Sequence, residues 1–497
     1  MLKYTGHPLL DVGAATIAAF ARKRDLKLVT KADLESIADE MSHAYVRKPM
    51  TSFLTSVFMN SGFVQPAYTQ EQREAYASRV LYAWRDAPVS DSQRCLFTGD
   101  PAVAVTLSLK DDIPPGRMYR QHMPLTSGVG VINFYPSGDA GLPISGLALL
   151  CIHALPLGCA KCGGKLLAVH ADDPELMVDF VAEFLEHNLI AIDIARHQGS
   201  NKIQEAKATA KTLLIETLLK TDIKRAERGE QSHAASVTAY HFTNLGQAPD
   251  IVMYHLPLEL TRFLSYVESP DYRREWNALV GRGWRLSKPK RRKRKDGKAQ
   301  IIGGEDDSTP RENVLYEDLF GLPDNARWFV RRYFLRVPIR TRFEDDPRRA
   351  YSPRGEAGLV SWHLTELFLR EVMRVENERI EQIRGFGDRV ASYVSEQDDK
   401  RFFGQLFEKR YDYFRMNLIR ANLRAVRSGR QPLIDFDPYI RVFEDGEEVA
   451  RPDWRLARDL TLVRVIEQLH ARGWLGTNLD AIPESKLEEL EEAEPSA

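Results

Sequence analysis

Cysteine is scarce in this 497-residue chain, with only Cys95, Cys151, Cys159 and Cys162. So few exclude a disulfide scaffold and fit a reducing cytosol. Net charge is equally scarce: 69 Lys and Arg against 70 Asp and Glu leave −1. No global field therefore draws the chain to nucleic acid or to a membrane, and any such attraction has to be local. Long apolar runs are missing. The patch over 12–20 holds Gly13 and Thr16, follows Asp11 and is too short to span a bilayer, so it reads as a folded helix rather than a signal peptide. Catalytic signatures are missing too: there is no Walker loop, no Gly-x-Ser-x-Gly and no His-Glu-x-x-His. These absences lead us to expect a cytoplasmic protein that neither spans a membrane nor acts as an enzyme.

What is present is an ordinary globular composition, 43% hydrophobic and 28% charged, long enough for two to four domains. Asp11 is a plausible N-cap for a helix over 11–24, and Thr30 with Asp33 fits a capping box before the apolar face Leu34, Ile37, Ala38 and Met41. The stretch 49–65 is apolar, and helix and strand are not distinguishable there. Residues 71–85 read as a helix, 95–101 as a compact turn, and 103–109 and 129–135 alternate like strands. Helices are expected over 144–155, 173–196 and 205–228, and strands over 165–169, 237–243 and 251–255. Short helices follow over 258–266 and 271–279. Beyond 355 the pattern is helical throughout, over 359–383, 386–395, 400–427 and 455–472. The expected fold class is α+β: a mixed α/β N-terminal region with a Gly/Pro-rich, candidate zinc-binding insertion, followed by a C-terminal helical bundle. The expected divisions are 1–230, a middle region 231–350 carrying a basic mobile loop at 282–310, a bundle over 351–480, and an acidic tail over 481–497.

The stretch 116–167 is the focus of the chain. It holds three of the four cysteines and a dense set of Gly and Pro, which fix special backbone angles. Arg117, Arg120 and Gln121 lie just upstream of the turn Asn133-Phe-Tyr-Pro-Ser-Gly138, which presents Phe134 and Tyr135. Turns carrying such side chains are commonly functional; the competing reading is an irregular core segment. Within the stretch, Cys159-Ala-Lys-Cys162-Gly-Gly is half of a zinc knuckle, since Cys-x-x-Cys places two thiolates on one metal. Cys95 and Cys151 could complete a structural zinc site, with His153 and His170 as alternatives; otherwise the thiols are buried in a metal-free turn.

Two basic features stand out. The run 282–298 contains Lys288, Lys290, Arg291, Arg292, Lys293, Arg294 and Lys295, beside Trp284, and suits phosphate neutralisation and stacking. On the expected helix 400–427, Arg420, Arg424 and Arg427 share one face, which is either a strand-binding stripe or a solvated surface.

Taken together, Tyr4-Thr-Gly-His-Pro-Leu-Leu-Asp-Val-Gly13, Cys95-x-x-Thr-Gly99, Gly116-Arg with Tyr119-Arg-Gln-His122, Asn133-Phe-Tyr-Pro136, Gly141-Leu-Pro-x-Ser-Gly146 and Cys159-x-x-Cys-Gly163 resemble, in order, the large subunit of type I CRISPR–Cascade complexes, in the Cas-eight branch of types I-A and I-B. The resemblance covers about residues 1–200 and extends to the helical half by architecture alone. It implies a non-enzymatic DNA- and RNA-binding subunit that sits at the crRNA 5′ end beside Cas-five and Cas-seven, in a complex that also holds Cas-six and a small subunit. Such a subunit reads the protospacer-adjacent motif in target dsDNA, helps open the duplex and holds the displaced strand. It then recruits the Cas-three helicase-nuclease or, in transposon-associated versions, transposition proteins. The C-terminal half is similar to the domain that mimics the small subunit; an internal start such as Met373 would make it separately. On this reading Arg117, Arg120, Gln121, Asn133, Phe134 and Tyr135 are candidate motif readers, and the two basic features hold backbone. A metal-dependent nuclease or RNA-processing enzyme built on the Cys/His cluster is the alternative, and a purely structural scaffold is a third.

Overall fold

A computed structural model describes residues 2–110, 113–126, 128, 141–230, 234–245, 250–285, 290–293, 299–302, 310–335, 362–444, 450–478 and 481. The chain divides into two units, Met1–Ser265 with Pro289–Glu312, and Tyr266–Lys288 with Asn313–Ala497. The fold is α+β, with a helical C-terminal region. The expected middle region is shared out between the units rather than standing alone.

The first unit is built around α1 (Pro8–Phe20), whose side chains from Leu9 to Ala18 are all buried. A helix apolar on every side belongs in a core. Helices α2 (Lys31–Ala44) and α4 (Gln70–Leu81) both open with capping boxes, Thr30 with Asp33 and Thr69 with Gln72. Between them the ambiguous apolar stretch becomes the short α3 (Met50–Leu54) and a series of turns. After α5 (Ala83–Asp86), β1 (Val89–Arg94) and β2 (Pro101–Val103) form a hairpin around the expected turn. The strand expected over 103–109 ends at Val103, because the chain leaves β1 there and bends. Strands β3 (Arg117–Met118) and β4 (Leu142–Pro143) pair antiparallel. The strand expected over 129–135 lies outside the described residues.

Helix α6 (Gly146–Ala154) leads into the main sheet, β5 (Ala160–Cys162), β6 (Lys165–Ala171), β7 (Val237–Thr243) and β8 (Asp250–Leu256), antiparallel in that order. Central β6 buries Leu166 to Val169 without alternation, since it lies between its partner strands and packs against α1 and α7 (Pro174–His197). Helix α7 starts as expected, with Asp173 accepting from the Glu175 N–H. Helix α8 (Ala210–Glu227) packs on it. The unit reaches into α9 (Leu258–Val267) and resumes with β9 (Lys290–Lys293) and β10 (Ala299–Ile302).

The second unit comprises α10 (Pro270–Arg285), α11 (Val314–Leu319), α12 (Ala326–Phe329) continued by a π-helical turn over Val330–Leu335, α13 (Trp362–Glu371), α14 (Asn377–Gln397), α15 (Lys400–Gln405), α16 (Tyr411–Arg427), α17 (Phe436–Phe443), α18 (Trp454–Ala471) and α19 (Trp474–Thr477). Aromatic residues of α12 and the π-helical turn supply its core: Phe329 stacks on Phe368 with ring centroids 5.2 Å apart. Two expected helices are broken. Arg374 takes φ +52°, so α13 stops at Glu371 and α14 restarts at Asn377. Residues 406–410 interrupt 400–427, turning Leu406 and Phe407 into the core. Met373 therefore lies in the turn between α13 and α14. Among the described residues no helix is long and apolar enough to cross a membrane.

Candidate nucleic-acid interface

The first site is built from the N-terminal turn. Asp11, expected as an N-cap, lies one turn inside α1; His7 is the N-cap. The buried Asp11 carboxylate instead reaches back and accepts from the Thr5 N–H at 2.7 Å, the Thr5 hydroxyl at 2.9 Å and the Gly6 N–H at 2.9 Å. His170 Nε2 on β6 stands 3.4 Å from its other side. Burial pushes the Asp11 pKa up, but the bonds from His170, Thr5 and Gly6 outweigh it and hold the carboxyl below the ordinary range. Two residues on, Gly13 faces α6 so closely that a Cβ would lie 2.0 Å from the Cys151 carbonyl oxygen. Lys3 Nζ donates to the Thr98 carbonyl, and the His7 ring meets Phe97 edge-on at 5.0 Å. The Leu96 N–H donates to Pro143, and Ile144 N–H to Gly116. Motifs spread over 150 residues of sequence thus fold onto one another.

The segment 116–123 is rigid for specific reasons. His122 is buried; its Nδ1 accepts from the Tyr119 N–H at 3.1 Å, so Nε2 carries the proton and donates to the Leu107 carbonyl at 2.8 Å. Arg117 sits in β3 with its guanidinium near the Gly141 carbonyl. Arg120 is half-buried and bonded to Asn244 at the end of β7. Of the six expected motif readers, Gln121 is a half-buried amide with no hydrogen bond among the described residues. Asn133, Phe134 and Tyr135 lie outside the described residues. Sequence reasoning missed Asn244, a lone Asn past a strand end with no local signal.

The cysteines occupy separate places. Cys95 closes the β1–β2 turn, Cys151 is in α6, Cys159 precedes β5 and Cys162 ends it. Gly163 and Gly164, with φ of +58° and +80°, are the two-residue loop joining β5 to β6, where Cys162 pairs with Lys165. The Cys-x-x-Cys-Gly-Gly pattern is therefore a hairpin entry. Among the described residues no three His, Cys, Asp or Glu side chains are gathered as a metal would need. Burial pushes the Cys151 thiol up to about 12, with Asp11 adding to it, and does the same to Cys162, with Glu205 adding. His153, an alternative ligand, is fully buried beside Phe58 and Phe63.

The basic features divide between the units. Part of the stretch expected as a loop over 282–310 has regular structure. Helix α10 runs on to Arg285, burying Arg282, and Lys290, Arg291, Arg292 and Lys293 form β9, paired with Ile302, Ile301, Gln300 and Ala299. The Asp296-Gly297 dipeptide between these strands is a hairpin signal the basic composition overshadowed. Lys288, Arg294 and Lys295 lie outside the described residues. In the second unit, Arg420, Arg424 and Arg427 are exposed on α16. Arg424 reaches Asp399 at 3.4 Å, while Arg420 and Arg427 have no acidic partner among the described residues. The same helix exposes Tyr413, Met416, Ile419, Leu423 and Val426. Comparison with protein-family models and with curated protein sequences finds no match to this chain.

Proposed function

We propose that this chain is the large subunit of an RNA-guided CRISPR surveillance complex of the Cascade type. In this role it reads the protospacer-adjacent motif of target dsDNA, helps open the duplex, holds the non-target strand and helps recruit the downstream effector, Cas-three or transposition proteins. Its partners are crRNA, the Cas-five, Cas-seven and Cas-six subunits and a small subunit. The observation that carries the reading is the convergence of its motifs: the turn pinned by Asp11, the 95–99 turn, the 116–122 segment and the 141–146 turn meet in one body. That body holds Gln121 on a rigid support, as groove reading requires. The exposed Arg420 and Arg427 of α16, with no acidic partner among the described residues, fit backbone contact, which is sequence-independent and salt-sensitive.

The test is co-expression with neighbouring Cascade candidates and a guide RNA, followed by binding to a matching duplex. Co-purification, with motif-dependent binding lost when this chain is omitted, is the expected result. A chain that stays alone, or a complex that binds equally well without it, overturns the proposal. Chelator-sensitive cleavage of labelled DNA or RNA would put the metal-dependent nuclease in its place.

A further inference from the structure

The first unit contains a cavity of about 430 Å³ bounded by the residues after α2, by α3 and by the start of α4. Its wall carries three cations, Arg47, Lys48 and Arg73, and three hydroxyls, Thr51, Ser52 and Thr55, and no acidic residue. Several other cations of this unit rest on carboxylates: Arg24 on Asp179, Arg85 on Glu35, Lys161 on Glu205. Arg47 and Lys48 have no ion pair or side-chain hydrogen bond among the described residues. Arg73 spends one nitrogen on the Gln65 carbonyl at 3.2 Å, and its Nε is buried without a partner. Thr55 donates to the Thr51 carbonyl at 3.0 Å, while the Thr51 and Ser52 hydroxyls have no hydrogen bond among the described residues.

Three like charges held around one cavity repel, and an unmet buried guanidinium donor is costly. An anion in the cavity relieves the repulsion and offers an acceptor beside Arg73. The guanidinium fork and short hydroxyls match phosphate oxygens, and the cavity falls within the roughly 300–1,000 Å³ of small-ligand sites, room for one phosphate with its sugar. We propose that this cavity binds one phosphodiester of a single nucleic-acid strand. The choice of a strand over a free nucleotide, which offers the same phosphate, rests on the function proposed above.

The experiment uses the full chain and a labelled twelve-nucleotide RNA or single-stranded DNA, followed by fluorescence anisotropy across a salt series. The double variant Arg47→Ala/Lys48→Ala changes two exposed side chains, and Arg73→Gln probes the inner one. The control is Arg85→Ala, a cation already held by Glu35 and Asp86. Affinity should fall at least about fivefold in the double variant, and its log–log salt slope should drop by about one to two, with the control unchanged. Unaltered affinity and slope in both cavity variants overturn the assignment. Competition by a mononucleotide as effective as by a strand of equal phosphate concentration also overturns it, in favour of a free nucleotide. Strand binding that depends on Arg47 and Lys48, together with an assembled complex that ignores this chain, keeps the pocket and removes the Cascade reading. Motif-dependent duplex binding with both cavity variants intact does the reverse.

Discussion

Arg120 and Asn244 hold each other by both side chain and backbone, 124 residues apart in sequence. The Arg120 Nε donates to Asn244 Oδ1 at 2.9 Å and a terminal nitrogen donates to the Asn244 carbonyl at 2.6 Å. The Asn244 amide returns the bond to the Arg120 carbonyl at 3.0 Å and also donates to Val57 at 2.9 Å. Asn244 is fully buried, so truncation strands several polar groups at once. Asn244→Ala should lower stability by about 2–3 kcal/mol in urea denaturation. Lys at 120 keeps the charge but not the fork, and Arg120→Lys should also lower Tm.

That clasp separates two roles proposed within one motif. Gln121→Ala should leave Tm unchanged, because its amide has no hydrogen bond among the described residues, and should weaken motif-dependent duplex binding several-fold in the assembled complex. Equal binding to duplexes with and without the motif, at wild-type Tm, is the expected signature. Retained motif discrimination would remove Gln121 from the reading surface.

Gly13 is a matter of space. A methyl there would collide with the Cys151 carbonyl, which is backbone and cannot swing aside. Gly13→Ala should therefore push α1 and α6 apart and cost about 1–3 kcal/mol, despite Ala being the better helix former. Calorimetric Tm of the two proteins checks it; a variant at or above wild type would show that α6 yields.

His153 gives the fold an acid-side slope. Burial drives its pKa down to about 3; the bond to the Leu149 carbonyl opposes this and His122 adds to it. Unfolded, the same imidazole titrates near 6.5. Its contribution is complete above about pH 6.5. It is lost as pH falls from there to about 3, because over that window only the unfolded chain takes the proton. Each unit of pH in the window is worth about 1.4 kcal/mol for one such group. His153→Asn should flatten the fall of stability over pH 6.5–4 in urea titrations at fixed ionic strength. An unchanged slope would place the proton elsewhere.

On α16, Arg420→Ala with Arg427→Ala should weaken nucleic-acid binding about equally for all sequences and lower the salt slope by roughly two. Arg424→Ala should do less, because Asp399 already claims part of that charge.

Much of this architecture was legible where local chemistry decides it. Thr30 with Asp33, Asp173 before Pro174, and the apolar strands around 166–169 and 237–243 announce themselves through caps and composition. Legibility failed where distant packing decides. Nothing near Leu406 and Phe407 says that the core will draw them in and break a helix. Asp11 has the chemistry of a cap, and only the turn at Thr5 and Gly6, with His170 behind it, makes it a clasp instead. Arg282 read as part of a charged run, yet it is buried in α10. Among the site residues, the spacing of Arg420, Arg424 and Arg427 was visible, but that Arg424 would meet Asp399 was not.

The interleaving of the two units sets an order of events during synthesis. The chain leaves the first unit after Ser265, returns at Pro289 and leaves again after Glu312. Chains emerge N-terminus first and domains tend to fold as they are completed. Helix α10, with Trp276 buried in the finished protein, thus leaves the ribosome before α11 and α13, the helices it packs against. The first unit meanwhile waits for its own last strands. A polypeptide begun at Met373 would carry α14 to α19 without α10, α11 and α13, so a separately translated C-terminal product would be a smaller body than the second unit, with a face of its own to cover.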